Sequence, residues 1–164
     1  MRKMILRAAS VAVTAVLFIL ILSSCSEKRS ALSVMSEFRK AYSVGGVVYS
    51  PLIGEGQRGH SDEAFFVELY GEGSDSVSDY SVLLLSGIAG VGECAVFICY
   101  SDYDAILVSD MCYRRIEFLK SLSGAVDTSF AEDAFVLRRG KTVVMCALAD
   151  NDRGKSIWKK VIQS

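Results

Sequence analysis

A thiol placed for acylation is the clearest chemistry in this chain. Leu22-Ser23-Ser24-Cys25 closes a run of uncharged residues from Ala8 to Leu22, which itself follows Arg2, Lys3 and Arg7. A cationic start, an apolar segment and small residues before a cysteine are what export, lipid transfer to the sulfur and cleavage ahead of Cys25 each require. An uncleaved membrane helix fits less well, because the run is short of the roughly 20 residues needed to cross a bilayer. Cleavage would leave Cys25 as the mature N-terminus with at least two acyl chains, and two chains anchor stably where one binds only reversibly.

The other candidate motifs have simpler readings. Gly54-Glu-Gly-Gln-Arg-Gly59 matches the G-x-G-x-x-G of dinucleotide sites, but that motif works between a strand and a helix N-terminus, and Pro51 breaks any strand before it. His60 is the only histidine and neighbours Ser61 and Asp62. A triad needs spatial convergence and an oxyanion hole, and no G-x-S-x-G accompanies it, so a surface loop is expected. Zinc would take three or four ligands, which one histidine and apolar-flanked cysteines do not supply. Asp150-Asn-Asp-Arg-Gly154 opens like a calcium loop but has Gly at its fifth position and Val161 at its twelfth, so helix capping fits better. Asp102/Asp104 and Glu132/Asp133 are carboxylate pairs of the kind that cleave glycosides when they flank a cleft, although turn or cap roles are commoner. No catalytic, cofactor-binding or metal-ligating residue is assigned.

Cys94, Cys99, Cys112 and Cys146 lie in apolar stretches, where free cysteine behaves as a small buried hydrophobe. Cys94 and Cys99 are five apart in one expected strand and face opposite sides, so a bridge would have to use Cys112 or Cys146. Free thiols are the favoured reading.

These residues need a scaffold, and the spacing supplies one. Leu32, Met35, Phe38 and Tyr42 recur at helical spacing over Ser33–Tyr42, with Gly45-Gly46 after them. Val47-Val48-Tyr49 is a possible short strand, and Asp62 to Leu69 a short helix closed by Gly71. Tyr80–Leu85 and Glu93–Tyr100 read as a hairpin across a small-residue loop with Gly87, Gly90 and Gly92. Val108, Met111, Cys112, Ile116, Leu119 and Leu122 then mark a helix of four to five turns ending near Gly124, with Asp110 and Arg114 paired on its polar face. Ala134–Leu137 and Thr142–Ala149 form a second hairpin around Arg138-Arg139-Gly140-Lys141, and Asp150 or Asp152 caps a last helix through Ile157, Trp158, Val161 and Ile162. The expectation is an α+β fold with an antiparallel sheet of about four strands in the order ββαββα, preceded by one or two helices. Both faces of Cys94–Cys99 and Val143–Ala149 are apolar, so the N-terminal segment or a partner should cover the second face.

Leu69-Tyr70-Gly71, Asp79-Tyr-Ser-Val-Leu-Leu-Leu85, Gly92-Glu-Cys-Ala-Val-Phe97, Arg114-Arg-Ile-Glu-Phe-Leu-Lys120 and Phe135-Val-Leu-Arg-Arg-Gly-Lys-Thr-Val-Val144 together resemble a family of small lipoproteins of Gram-positive bacteria with no assigned activity. The likeness spans roughly residues 65–152 and departs from the family between Lys120 and Phe135, where a longer segment with tyrosine and proline is expected. It implies an anchored extracytoplasmic domain and carries over no functional residue.

Residues 1–24 are therefore expected to be a signal peptide, 25–30 the lipidated cysteine and a polar tether, and 31–164 one extracytoplasmic domain. Without the signal segment, 15 Lys and Arg stand against 19 Asp and Glu, a net charge of −4, and no basic stripe marks a nucleic-acid partner. The function expected is a lipid-anchored, non-enzymatic binding or assembly module at the cell envelope. Its partners would be the membrane, through the lipid, and an envelope protein, with no cofactor. A small solute-binding lipoprotein and a carboxylate-dependent envelope hydrolase are the alternatives.

Overall fold

Helix formation begins where the polar tether ends. In the computed structural model, which describes residues 29–43, 45–50, 62–85, 92–125 and 127–163, the Ser30 hydroxyl accepts the Ser33 amide at 3.1 Å and caps α1 (Ala31–Tyr42). Such a cap satisfies an amide that the first turn leaves without an internal partner. The helix stops ahead of the expected glycines: Ser43 adopts the left-handed conformation (φ 53°) and returns its amide to the Arg39 carbonyl. Gly46 serves the sheet instead. A Cβ there would lie 2.6 Å from the Leu84 carbonyl oxygen, so a side chain would push the first strand off its neighbour.

Five strands, β1 (Val47–Tyr49), β2 (Val77–Leu84), β3 (Glu93–Cys99), β4 (Phe135–Arg139) and β5 (Thr142–Ala147), form one antiparallel sheet in the order β1-β2-β3-β5-β4. The strand beyond the expected four is Val47–Tyr49, which pairs with Val82 to Leu84 at the edge. The second hairpin is tighter than its sequence implies, because pairing continues to Arg139 opposite Thr142 and leaves Gly140 (φ 53°) and Lys141 as the turn.

Among the described residues the remaining helices are α2 (Asp62–Tyr70), α3 (Asp102–Ser121), α4 (Ser129–Glu132) and α5 (Asn151–Gln163). The molecule is α+β, with helices on both faces of the sheet. Successive side chains of a strand point to opposite faces, and β3 shows both destinations. Ala95, Phe97 and Cys99 pack with α2 and α3, whereas Cys94 and Val96 pack with α1 and α5. The second apolar face expected to need cover is thus closed by the N-terminal helix α1 together with α5. Phe38, Met35 and Trp158 fill that layer. The other layer is built around Phe66, which is fully buried and lies 4.9–6.0 Å, centroid to centroid, from the rings of Phe65, Tyr70, Tyr80 and Phe97.

Three helix ends collect at one end of the sheet. The Ala31 amide donates to Asp79 Oδ2 at 2.7 Å, α3 follows directly from the end of β3, and the last carbonyls of α5 accept from Arg29 and Arg139. At the opposite end Tyr42 donates its hydroxyl hydrogen to the Asp150 carbonyl at 2.7 Å, tying the close of α1 to the start of α5.

Candidate functional site

The lipobox residues Leu22, Ser23, Ser24 and Cys25, the glycine-rich segment Gly54–Gly59 and His60 with Ser61 lie outside the described residues. Asp150 does what its capping reading expects, accepting the Arg153 amide at 3.1 Å on Oδ1. Asp104 accepts a hydrogen bond from the Ser101 hydroxyl at 2.6 Å within the cap of α3, and Asp102 stands exposed in the first turn. Glu132 and Asp133 lie ahead of β4, at its end opposite the Arg138–Asp102 contact, so the two carboxylate pairs do not meet.

An open groove of about 390 Å³ runs between α4 and the start of α5, bordered by Phe130, Asp133, Leu148, Asp150, Asp152 and Lys155. Of its polar groups, Asp150 caps α5 and Asp152 pairs with Lys155 at 3.1 Å, while the buried Asn151 Oδ1 has no hydrogen-bond partner among the described residues. Among the described residues no three His, Cys, Asp or Glu side chains are grouped to hold a metal ion.

Among the described residues the one fully buried charge is Glu93, which opens β3 and points toward α2 and α3. Arg115 donates to its Oε2 from Nε at 2.9 Å and stands 2.8 Å away through its terminal nitrogen. Tyr70, the last residue of α2, donates its hydroxyl hydrogen to Oε1 at 2.9 Å. Both carboxylate oxygens are therefore satisfied, which a buried charge requires. The guanidinium lies 5.3 Å from the Phe118 ring centroid and 5.9 Å from that of Tyr70, between two π-faces that attract a cation. Burial, reinforced by the Glu93 charge, pushes the Tyr70 phenol well above its ordinary value and keeps it a donor. A base must come within hydrogen-bond reach of the proton it takes. Glu93 has no accessible surface, so the cluster positions α2, β3 and α3 relative to one another and offers no oxygen to a substrate.

The surface that does face outward is on α3. Its buried side carries Val108, Met111, Cys112, Ile116 and Leu119, as its spacing implies. The opposite side, expected to be polar, is largely apolar: Tyr103, Ile106, Leu107, Tyr113 and Phe118 are between 40 % and 67 % exposed. Taken with Asp110 and Arg114, Tyr103, Ile106 and Phe118 follow three- and four-residue steps, and Leu107 and Tyr113 flank that line on the same face. The ion pair expected between those two is replaced by one from Arg114 to Glu72, on the segment after α2. Elsewhere among the aromatic residues, Phe65, Phe66, Tyr70 and Tyr80 are core, Tyr49 is partly buried against them and Tyr100 is exposed. Tyr103, Tyr113 and Phe118 escape a reading that seeks one apolar stripe. The available signal is that α3 carries large apolar residues outside its buried stripe, set among Asp110, Arg114 and Glu117.

All four described cysteines are free and buried. Cys94 faces Cys146 across β3 and β5 on the α1/α5 side, while Cys99 and Cys112 lie on the other. Burial raises the thiols of Cys94 and Cys112 well above their ordinary value and pushes Cys99 up to about 12. An unfolded chain releases thiol protons from about pH 9 upward while the folded one still holds them. The folded state binds more protons in that window, so stability falls as pH rises through it. Urea midpoints measured under reducing conditions are expected to decline from about pH 9 toward 12. A midpoint constant over that range would contradict the burial.

No described helix is long and apolar enough to cross a membrane. Compared with known proteins, the chain matches no family model, no curated protein and no solved structure, so what it does must be read from these residues.

Proposed function

We propose that this chain is a lipid-anchored extracytoplasmic lipoprotein that acts as a non-enzymatic binding or assembly module at the cell envelope, with Cys25 as the acylated residue. The observation that carries the binding role is the outer face of α3, where five large apolar side chains stand exposed along one 20-residue helix. Single exposed apolar residues are ordinary, but a contiguous apolar surface marks a contact site. The anchor is carried by Leu22-Ser23-Ser24-Cys25 behind its cationic, apolar leader. Arg29, the first described residue, lies four positions after Cys25, a span of at most about 14 Å. The domain then works within one short tether of the bilayer.

Intact-mass measurement of protein extracted from membranes tests the anchor. The expected species lacks residues 1–24 and carries acyl mass on Cys25, and Cys25→Ala abolishes both changes. Retention of Met1 with no added lipid would refute it.

A further inference from the structure

The exposed face of α3 is self-complementary, and we propose that it is the contact between two copies of this chain, packed antiparallel about a two-fold axis at the level of Cys112. This rests on the binding-module reading and names the partner.

Charge chooses the direction. A parallel pair in register would set Asp110 against Asp110 and Arg114 against Arg114, two repulsive levels at the centre of the contact. Turned antiparallel about residue 112, the helices bring Asp110 of each copy opposite Arg114 of the other. The same register sets Ile106 opposite Phe118 twice, lays Leu107 along the aliphatic stem of Glu117, and places the two Tyr113 rings beside the axis. All of these side chains are exposed. The contact from Ile106 to Phe118 runs about 18 Å along the helix, and a two-fold contact repeats each pair.

Two features of the single chain prepare this face. Arg114 is held by Glu72 with its side chain still 57 % exposed, so its charge is presented outward and would lie between two carboxylates in the pair. Phe118 stacks on Arg115 with its outer side open, and Ile106 of the second copy would close that side. The geometry is also compatible with two anchored chains. The N-terminus enters at the end of the sheet where α3 starts. An antiparallel pair therefore sends its tethers out at opposite ends, and both reach one bilayer when α3 lies parallel to it.

The test uses full-length protein, purified with its native N-terminus in detergent and sized by sedimentation. Wild type is expected to be a dimer at micromolar concentration. Asp110→Arg and Arg114→Asp each turn two attractive pairs repulsive and weaken association about tenfold or more. Mixing the two variants restores both pairs in a heterodimer, so an equimolar mixture returns to wild-type affinity, read by co-purification of differently tagged chains. An unchanged far-ultraviolet circular dichroism spectrum shows that each variant folds, since loss of the dimer alone lowers a urea midpoint. A monomeric wild type, insensitivity to either reversal, or a mixture that stays monomeric overturns the proposal. So does a monomer that binds lipid vesicles or a different envelope protein through α3 and loses that binding in Ile106→Asp. The mass of Cys25 is read separately, so failure of the anchor and failure of the dimer are distinct results.

Discussion

Replacing Arg115 with leucine is expected to destabilise the fold by about 3–5 kcal/mol, because it leaves the Glu93 carboxylate buried with no cation. Glu93 has no solvent access through which water could take the place of the guanidinium. The single remaining donor, Tyr70, satisfies one oxygen and no charge. The second half of the prediction separates this mechanism from lost packing. In the double variant Glu93→Gln with Arg115→Leu the buried group is neutral and its amide oxygen still accepts from Tyr70, so most of the loss should be recovered, since a buried ion pair contributes little net stability over a neutral replacement. Urea unfolding of the three proteins at neutral pH decides it. If the single variant loses less than about 1 kcal/mol, or the double variant is no better than the single, the charge is not what the cluster stabilises.

Phe66→Ala should cost a comparable amount, about 3–5 kcal/mol, through the cavity left by a fully buried ring. Phe66 touches four other aromatic rings, at 4.9 Å for Tyr80 and 5.7–6.0 Å for Tyr70, Phe97 and Phe65. Those rings join α2 to β2 and β3, so they cannot collapse into the space without moving a strand. Edge-to-face pairs add roughly 0.5–1.5 kcal/mol each beyond the area they bury. The control is Tyr103→Ala, whose ring is 67 % exposed and whose loss should move the folding stability of one chain by no more than about 0.5 kcal/mol. Equal effects from the two would mean that α2 is not part of the core.

Much of this scaffold is legible without coordinates. Short, strongly apolar runs bounded by turn residues place β2, β3 and β5 within a few residues, and the buried stripe of α3 follows from its three- and four-residue spacing. Opposite facing of Cys94 and Cys99 follows from strand parity alone. Shorter pieces are less legible. Val47–Tyr49 reads as a possible short strand and forms one on the edge of β2, whereas Ser129–Glu132 is four residues long, too few to establish a period, and packs Ala131 against Leu119 and Ala147. α1 ends at Tyr42 as its spacing implies, but its stop is not the expected one: glycine is the usual helix stop, and here Ser43 takes the left-handed turn while Gly46 answers a clearance demanded by Leu84.

The candidate surfaces divide in the same way. Residue order alone carries the Leu22-Ser23-Ser24-Cys25 motif on which the proposed anchor rests, the α+β class and the net charge of −4 that remains without residues 1–24, because short motifs, charge and strand or helix periods are local properties of a chain. Only the tertiary structure decides that Glu93 is a satisfied buried charge, since Tyr70, Glu93 and Arg115 are 22 and 23 positions apart and no local rule joins them. It also decides what the rest of α3 meets. Spacing assigns the buried stripe, but whether a second element covers the opposite side depends on which segments pack there, and Tyr103, Ile106, Leu107, Tyr113 and Phe118 are left facing outward beside Asp110 and Arg114.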